Sequence, residues 1–460
     1  MNRKPLTWIF PAIVIVLAVL GLGAWQAAPL VNMASGYMAK TLCSEHFVAG
    51  RADLERIRAD VVDIDPLFGW FFHDVDHERG WASGFFGPGI GRVTAVFREG
   101  LGCAIAADID PEQLASIRPS SQVIPPSKPA AAWPPVADRN PLLEQALDQA
   151  FAEPGPATHR QTRAVVVLQG GRIVAERYAE PFDENTRLIG WSMTKSITNA
   201  LIGILVADGV LELDQPAPVP EWREASDPRG AITLRHLLQM SSGLDFLEEY
   251  GPGSDATNML FTEFSAGAYA AAAPLAHEPG AYWSYSSGTT NILARIVFDK
   301  TGGSAAAVHE FMQSRLFLPL SLSSMVVETD ASGAPVGSSF SYATARDWAR
   351  LGQFWLQDGV WEGQRILPRG WMEWSASPAP AAPRGEYGAQ FWLNAGKDGQ
   401  HKSFPGLPTS VYFANGFNDQ TVAVFPDRDI VAVRLGFTTD NSWRLGEFLQ
   451  AVYDALPPPP

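Results

Sequence analysis

The stretch that decides the fold is Gly190-Trp-Ser-Met-Thr-Lys-Ser-Ile-Thr-Asn-Ala-Leu-Ile-Gly-Ile-Leu-Val-Ala-Asp-Gly209. Ser192 is a residue type that caps helix N-termini and Gly209 one that ends helices, so a helix is predicted over 192–208. Beyond Lys195 the segment is apolar on nearly every side, which predicts a buried helix. Positions three apart share a helix face, so the Lys195 amine should lie beside the Ser192 hydroxyl.

This pairing is typical of an activated serine nucleophile. Burial disfavours an ammonium ion and lowers the pKa of a lysine, which makes Lys195 a candidate proton acceptor for Ser192. The partial positive charge of a helix N-terminus also favours negative charge that develops nearby. The same residues fit a capping serine beside a lysine that reaches for solvent, so the pair alone does not decide its role.

A second stretch, Pro279-Gly-Ala-Tyr-Trp-Ser-Tyr-Ser-Ser-Gly288, is a turn-rich loop that leads into a helix predicted from Thr289. Tyr285 in this loop can lie over the Ser192 and Lys195 pair. A neighbouring ammonium is expected to make its phenol more acidic, so that it can relay protons to a leaving group. The alternative is a core aromatic residue in a loop that also holds Tyr282 and Trp283.

Three motifs together resemble a known family. Ser192-Met-Thr-Lys195, Leu237-Leu-Gln-Met-Ser-Ser-Gly-Leu244 and Trp283-Ser-Tyr-Ser-Ser-Gly288 are similar to those of the beta-lactamase-related serine hydrolases. That family includes class C beta-lactamases, D-alanyl-D-alanine carboxypeptidases, family VIII esterases and 6-aminohexanoate-dimer hydrolases. The resemblance spans about Val165 to Gly436, includes Ala343–Gly352, and is nearest to the 6-aminohexanoate-dimer hydrolase branch. It implies an antiparallel sheet flanked by helices with an inserted helical region.

The resemblance also implies a mechanism. Ser192 would attack a carbonyl carbon, Lys195 and Tyr285 would shuttle the proton, and water would release the acyl group. The oxyanion hole would use the backbone N–H of Ser192 and a second N–H on a sheet strand, for which Phe417 is the candidate. Ser287 and Asn418 are candidate substrate-binding residues at the same motifs.

The family's catalytic motifs are the one with Ser192 and Lys195, the one with Tyr285, and a third on the strand that lines the site, where this chain departs from the pattern. Many relatives carry Lys-Thr-Gly or His-x-Gly there, whereas Asn415-Gly-Phe-Asn-Asp-Gln420 has no cation. The absence predicts weak recognition of a substrate carboxylate, so small neutral esters are expected to be the best substrates, unbranched amides next and penicillins poor. Tyr250 is a candidate to line the substrate cleft, since it lies between the first two motifs; a surface aromatic is the alternative.

These observations predict a serine hydrolase that cleaves an ester or amide of a small molecule. One rival is a penicillin-recognising enzyme, and the other is a catalytically silent envelope or scaffold protein on the same fold. A net charge of −15 argues against a nucleic-acid partner. No cofactor and no metal are predicted, because the two histidines of His73-Asp-Val-Asp-His-Glu78 are interpreted as part of a solvated turn.

The N-terminus carries an apolar run from Leu6 to Trp25 preceded by Arg3 and Lys4. About 20 helical residues cross a hydrocarbon core of about 30 Å, so residues 1–30 are predicted to be a transmembrane anchor. Basic residues before the helix favour a membrane-anchored enzyme whose catalytic domain is extracytoplasmic. A cleaved signal peptide is the alternative.

Further along, the sequence divides into three parts: a small region over 31–115, a Pro-rich connector over 116–139 and a catalytic domain over 140–456. Strand patterns near both ends of that domain, with helical patterns between them, predict an α/β fold with an inserted helical region. An exported chain would permit a disulfide between Cys43 and Cys103, and two buried free thiols are the alternative.

Overall fold

The computed structural model describes residues 27–119, 133, 139–155, 159–251 and 253–458. Its N-terminal region, residues 27–119, packs helices around a four-stranded antiparallel sheet in the order β1-β2-β3-β4. The elements are α1 (residues 27–43), α2 (Leu54–Ile64), β1 (Phe71–Asp76), β2 (Trp81–Phe86), β3 (Ile90–Arg98), β4 (Gly102–Ile105) and α3 (Pro111–Ser116). The Asp53 side chain caps α2 by accepting the N–H of Arg56.

The larger part of the chain follows from residue 139. Its first elements are α4 (Pro141–Phe151), β5 (Thr162–Gln169), β6 (Arg172–Tyr178), β7 (Leu188–Ile189) and α5 (Thr194–Ala207). The middle is mainly helical, with α6 (Leu234–Leu238), α7 (Asp255–Phe261), α8 (Ala266–Ala271), α9 (Ser287–Lys300) and α10 (Ala305–Met312). The last elements are β8 (Val326–Val327), β9 (Ser341–Ala343), α11 (Ala345–Leu356), β10 (Val360–Trp361), β11 (Gln364–Arg365), α12 (Trp371–Ser375), β12 (Trp392–Leu393), β13 (Tyr412–Gly416), β14 (Gln420–Phe425), β15 (Ile430–Gly436) and α13 (Leu445–Ala455).

The central sheet is antiparallel and has the order β12-β13-β14-β15-β5-β6. Successive side chains of a strand point to opposite faces, and β5 uses both faces for burial. Val165 and Val167 pack in the layer formed with α4 and α13. Val166 and Leu168 pack in the main core with α5 and α11. The predicted α/β architecture, with helices on both faces and a helical insertion between β6 and β12, is confirmed.

The N-terminal region shares its core with the larger part. Residues of α1, from Met33 to Cys43, belong to the same buried cluster as Trp191, Met193 and Phe261. At Gly36 a Cβ atom would lie 2.2 Å from the carbonyl oxygen of Phe261, so only glycine lets α1 approach α7 this closely. Helix α1 is therefore a structural part of the same folded core.

A buried ion pair stabilises the contact between α1 and the larger part of the chain. Lys40 on α1 pairs with Glu328, which follows β8, and the two residues are 4% and 0% exposed. Glu328 also accepts hydrogen bonds from the Ser44 hydroxyl (2.9 Å) and the Cys103 N–H (2.7 Å). The structure joins Cys103 to Cys43 in a disulfide beside this pair. The carboxylate thus has several charge-compensating partners, as a buried charge requires.

The prediction of a membrane anchor is corrected by the structure. Among the residues described, no helix is both long and apolar enough to cross a membrane. Residues 1–26 of the predicted anchor lie outside the described residues, and 27–30 begin α1, which runs into the protein core. The structure therefore does not support a transmembrane helix, a membrane partner or a membrane-anchored, extracytoplasmic location.

Two further segments bear on the sequence predictions. Most of the predicted connector, 120–132 and 134–138, lies outside the described residues. The segment from His73 was interpreted as a solvated turn, but its residues through Asp76 lie in β1 because they pair with β2 in register. His77, just beyond the strand, places Nδ1 3.1 Å from His46 Nε2.

Candidate active site

Ser192 lies in the 3₁₀ turn Trp191–Met193 at the entrance to α5. Trp191, directly before it, has φ of 47°, in the left-handed region that bulky residues rarely adopt. Such backbone conformations typically cost about 1–3 kcal/mol and occur at active sites where the surroundings enforce them. The turn therefore lifts the Ser192 hydroxyl out of the regular helix, where a substrate can reach it.

Lys195 is 1% exposed, and oxygen acceptors of other residues surround its side-chain nitrogen. Its Nζ lies 2.9 Å from Ser192 Oγ, 2.9 Å from Ser287 Oγ and 3.1 Å from the Ser338 carbonyl oxygen. Burial lowers the pKa of Lys195 to about 8, although the negative charge of Glu248 acts in the opposite direction. With this pKa, roughly a tenth of the side chains are neutral amines at pH 7, and this form can accept a proton.

Tyr285 covers the other side of the amine. Lys195 Nζ lies 4.8 Å from the centroid of its ring, and the Ser192 side chain is close enough to the phenol to affect its pKa. The ring stacks on Trp392 at 5.2 Å, which fixes its orientation. Burial raises the pKa of Tyr285 well above its usual value, so the more acidic phenol expected from the sequence is not found. The difference arises because desolvation is the largest influence on this phenol.

Glu248 was not predicted from the sequence and lies at the centre of the polar network. Its two carboxylate oxygens accept the Ser287 N–H and the Ser287 hydroxyl, each at 2.6 Å. Since Ser287 Oγ also accepts from Lys195, one hydroxyl connects the carboxylate to the amine. Ser287, a predicted substrate-binding residue, is fully buried and acts within this chain of hydrogen bonds.

The second candidate oxyanion donor, Phe417, begins the 3₁₀ turn Phe417–Asp419 after β13. At the preceding Gly416 a Cβ atom would lie 2.1 Å from the Gly190 carbonyl oxygen, so glycine is needed for β13 to reach the nucleophile turn. The Phe417 ring meets Trp191 edge-on at 5.6 Å. The backbone of Phe417 is thereby placed beside the turn that carries Ser192.

Tyr250 and Asn418 have different positions in this site. Tyr250 stacks on Phe417, with ring centroids 5.5 Å apart, and its hydroxyl lies close to the side chains of Ser192 and Ser287. Asn418 is buried, and its amide nitrogen donates to the Thr438 carbonyl oxygen at 2.7 Å. Tyr250 therefore borders the nucleophile, while the Asn418 side chain supports the turn from behind.

The same turn is held by Arg434, which is fully buried. Its Nη1 donates to the carbonyl oxygens of Asn418 and Asp419, both at 3.0 Å, and its Nη2 to that of Arg160 at 2.6 Å. These contacts use the guanidinium to fix backbone geometry. Arg434 consequently does not replace the missing cation of the third motif as a receptor for a substrate carboxylate.

The beta-lactamase family model matches residues 146–444, which include Ser192, Lys195, Glu248, Tyr285 and Phe417. The chain belongs to the beta-lactamase family. As a member of this family with relatives named as hydrolases, it is an enzyme that hydrolyses ester or amide bonds of small molecules.

Relatives within the beta-lactamase family carry two kinds of hydrolase name. The 6-aminohexanoate-dimer hydrolase of Paenarthrobacter ureafaciens is 26% identical over 352 residues, which cover 71% of this chain and 83% of that protein. Esterase EstB of Burkholderia gladioli is 32% identical over 189 residues, 36% of this chain and 46% of that protein. A penicillin-binding protein homolog from Caulobacter crescentus shares the fold, with a TM-score of 0.55, 17% identity and coverage of 71% and 99%.

The resemblance to this family predicted from three short motifs is confirmed. The structure brings Ser192, Lys195, Tyr285 and Tyr250 together around one hydroxyl. Glu248 was missed because a single acidic residue in a loop has no periodic signal. The one clue was its position two residues before Tyr250, in a segment between two motifs of the beta-lactamase family.

Proposed function

We propose that the enzyme cleaves neutral esters or amides through an acyl intermediate on Ser192. In acylation the neutral amine of Lys195 accepts the proton of Ser192 Oγ as this oxygen bonds to the substrate carbonyl carbon. The backbone N–H groups of Ser192 and Phe417 hold the oxyanion that forms. Each such donor typically contributes about 10²–10³ in rate.

Collapse of the tetrahedral intermediate breaks the bond from carbon to the leaving oxygen or nitrogen. The leaving group needs a proton, and Tyr285, whose raised pKa keeps the phenol protonated, is placed to donate it. The phenol then regains a proton from the Lys195 ammonium, whose Nζ faces the tyrosine ring. This restores the neutral amine for the second half of the cycle.

Deacylation repeats the chemistry with water as the nucleophile. Lys195 accepts a proton from water while the water oxygen bonds to the acyl carbon, and the same N–H groups hold the second oxyanion. The bond to Ser192 Oγ then breaks, Oγ regains a proton from the Lys195 ammonium, and a carboxylic acid leaves. The free enzyme is regenerated without any redox change.

The observation that carries the proposal is the 2.9 Å contact between Ser192 Oγ and an amine that is almost fully buried. Hydrolysis of p-nitrophenyl acetate tests it, together with mass spectrometry of the enzyme after treatment with a fluorophosphonate. We expect a burst of p-nitrophenol, a label on the peptide that contains Ser192, and loss of both in Ser192→Ala. A label elsewhere, or undiminished turnover in the folded variant, would refute the assignment.

The alternative function is recognition of penicillins. It is disfavoured because Asn415–Gln420 carries no cation and Arg434 is committed to backbone carbonyls. A charge-assisted bond to a carboxylate is worth roughly 1.5–3 kcal/mol, so its loss weakens binding by roughly ten- to a hundredfold. We expect a higher kcat/KM for short neutral esters than for benzylpenicillin. A penicillin value tenfold above the ester value would favour the alternative.

A further inference from the structure

An apolar groove of about 380 Å³ lies between the N-terminal region and the turn that carries Ser192. Its outer wall consists of α1 and of the 3₁₀ turn Pro66–Trp70 with the start of β1. Its inner wall is formed by Trp191, Tyr250 and Phe417, three residues of the candidate active site. The groove thus borders the catalytic centre, although Ser192 itself does not line it.

The lining has the chemistry of a site for a hydrocarbon chain. Tyr37 in the floor packs against Phe68 at 5.1 Å and Phe261 at 4.9 Å. The one carboxylate in the lining, Asp65, accepts the N–H of Leu67 at 2.9 Å, so it caps the 3₁₀ turn. Ligand pockets usually have 300–1,000 Å³, and a dry cavity of about 150 Å³ already holds benzene. The groove has room for a chain of about eight carbons or more.

The position of the groove relative to Phe417 determines which part of a substrate the groove would hold. The oxyanion of the proposed cycle lies at the backbone of Ser192 and Phe417, and the side chains of Trp191 and Phe417 begin the groove. A chain attached to the carbonyl carbon therefore extends from this point into the groove. The leaving group lies on the other side, towards Tyr285, which would protonate it.

We propose that this groove binds the acyl chain of the substrate, and that the enzyme prefers esters or amides of apolar medium-length acids. The inference rests on the proposed acyl-Ser192 cycle and specifies its substrate class. Binding energy from a remote chain lowers the barrier at the reacting carbonyl, so it appears in kcat/KM. The N-terminal region then has a function of its own, because it supplies one wall of the acyl site.

The test compares p-nitrophenyl acetate, butyrate and octanoate. Each methylene that is fully buried contributes up to about fourfold to kcat/KM. Since the groove is partly open, we expect octanoate to exceed butyrate by about tenfold or more. If acetate is hydrolysed in a Ser192-dependent manner but kcat/KM is flat or falls with chain length, the acyl groove is refuted while the catalytic proposal stands.

Two variants and one control assign the effect to the groove. Trp70 is 67% exposed at the rim, so Trp70→Ala should fold and lower the octanoate-to-acetate ratio by about threefold or more. Ala34→Phe should fill the groove from α1 and move the optimum to shorter chains. Phe72, 50% exposed on β1 and outside the lining, is the matched control, and Phe72→Ala should leave the ratio unchanged. Equal effects of Trp70→Ala and Phe72→Ala would overturn the proposal.

A binding measurement covers the case in which no ester is turned over. Dansyl-labelled undecanoic acid should bind to the full chain, decanoate should displace it, and acetate should not. Trp70→Ala should weaken this binding by about threefold or more, and Phe72→Ala should not. Absence of binding refutes the groove, and a Kd that depends on protein concentration would assign it to a second copy of the chain instead.

Discussion

Among the described residues, Lys40 and Lys195 are two lysines that are almost fully buried, and their surroundings differ. Lys40 of the N-terminal region contacts the carboxylate of Glu328 directly. Lys195 of the active site faces hydroxyl and carbonyl oxygens, and its nearest carboxylate, Glu248, is reached only through Ser287 Oγ. The first lysine forms an ion pair, and the second is separated from its counter-charge by one hydroxyl.

The difference explains how one chain uses the same side chain in two ways. Burial lowers the pKa of Lys40 as well, but the direct contact with Glu328 opposes this effect and supplies a counter-charge between α1 and the segment after β8. A hydroxyl in between weakens that stabilisation, and desolvation then lowers the pKa of Lys195 to about 8. The comparison predicts that Lys195 variants change activity and that Lys40 variants change stability.

The largest effect is expected from Lys195→Ala. Without the proton acceptor, the acylation rate should fall by about 10²–10⁴-fold. The melting temperature should stay the same or rise, because the variant no longer buries an ammonium ion. Stopped-flow measurement of the p-nitrophenol burst and calorimetry check both parts. A large loss of stability would break the comparison, since Lys195 would then be structural like Lys40.

Tyr285→Phe tests the same proton transfer at its second residue. It should lower the acylation rate by orders of magnitude, since the leaving group loses its proton donor. If Tyr285 and Lys195 act as one relay, the double variant should lose less than the product of the two single losses. A double-mutant cycle on the burst rate provides this measurement, and full additivity would argue for independent roles.

Lys40→Ala should act on stability. Removing one partner leaves the Glu328 carboxylate buried without its counter-charge, and breaking such a pair typically costs about 3–5 kcal/mol. Denaturant unfolding measures the loss, with Lys300→Ala at the exposed end of α9 as the control. The folded fraction should hydrolyse p-nitrophenyl acetate with unchanged kcat. A selective loss of kcat at unchanged stability would contradict the comparison.

The smallest effect concerns the carboxylate near the active-site lysine. The active form of Lys195 is the neutral amine, so kcat/KM should rise with pH through a pKa of about 8. Glu248 raises this pKa, so Glu248→Gln should move the midpoint to lower pH. Glu249→Gln, at the exposed neighbouring position, is the control. The measurement is the pH dependence of kcat/KM for both variants. A shift of the Glu248→Gln midpoint to higher pH would contradict this role for Glu248.

The parts of the site that could be predicted from the sequence are those set by local geometry. Ser192 and Lys195 are three residues apart at the start of one helix, and the strand patterns predicted near both ends of the catalytic domain correspond to β5, β6 and β13 to β15. Glu248 could not be predicted, since its role depends on a loop that folds back onto the start of α9. The raised pKa of Tyr285 also depends on burial, which the order of residues does not show.

The N-terminal region could be predicted least. The predicted anchor, residues 1–30, ends inside α1, and the sequence did not distinguish that helix from an anchor, although it is a core helix from Met33 onwards. The distinction depends on partners such as Phe261 and Glu328, which lie far away in sequence. The groove has the same origin, because its two walls come from segments more than a hundred residues apart.

Trp191 has a consequence for anyone who redesigns this enzyme. Its backbone sets the turn that presents Ser192, and its ring forms part of the groove, so one position carries two constraints. A library that varies Trp191 would change reactivity and selectivity together, and the two effects could not be separated by screening. Leu67 and Trp70 lie on the rim, two-thirds exposed and away from the nucleophile turn. Substitutions at these two rim positions are expected to change the substrate range without changing the catalytic chemistry.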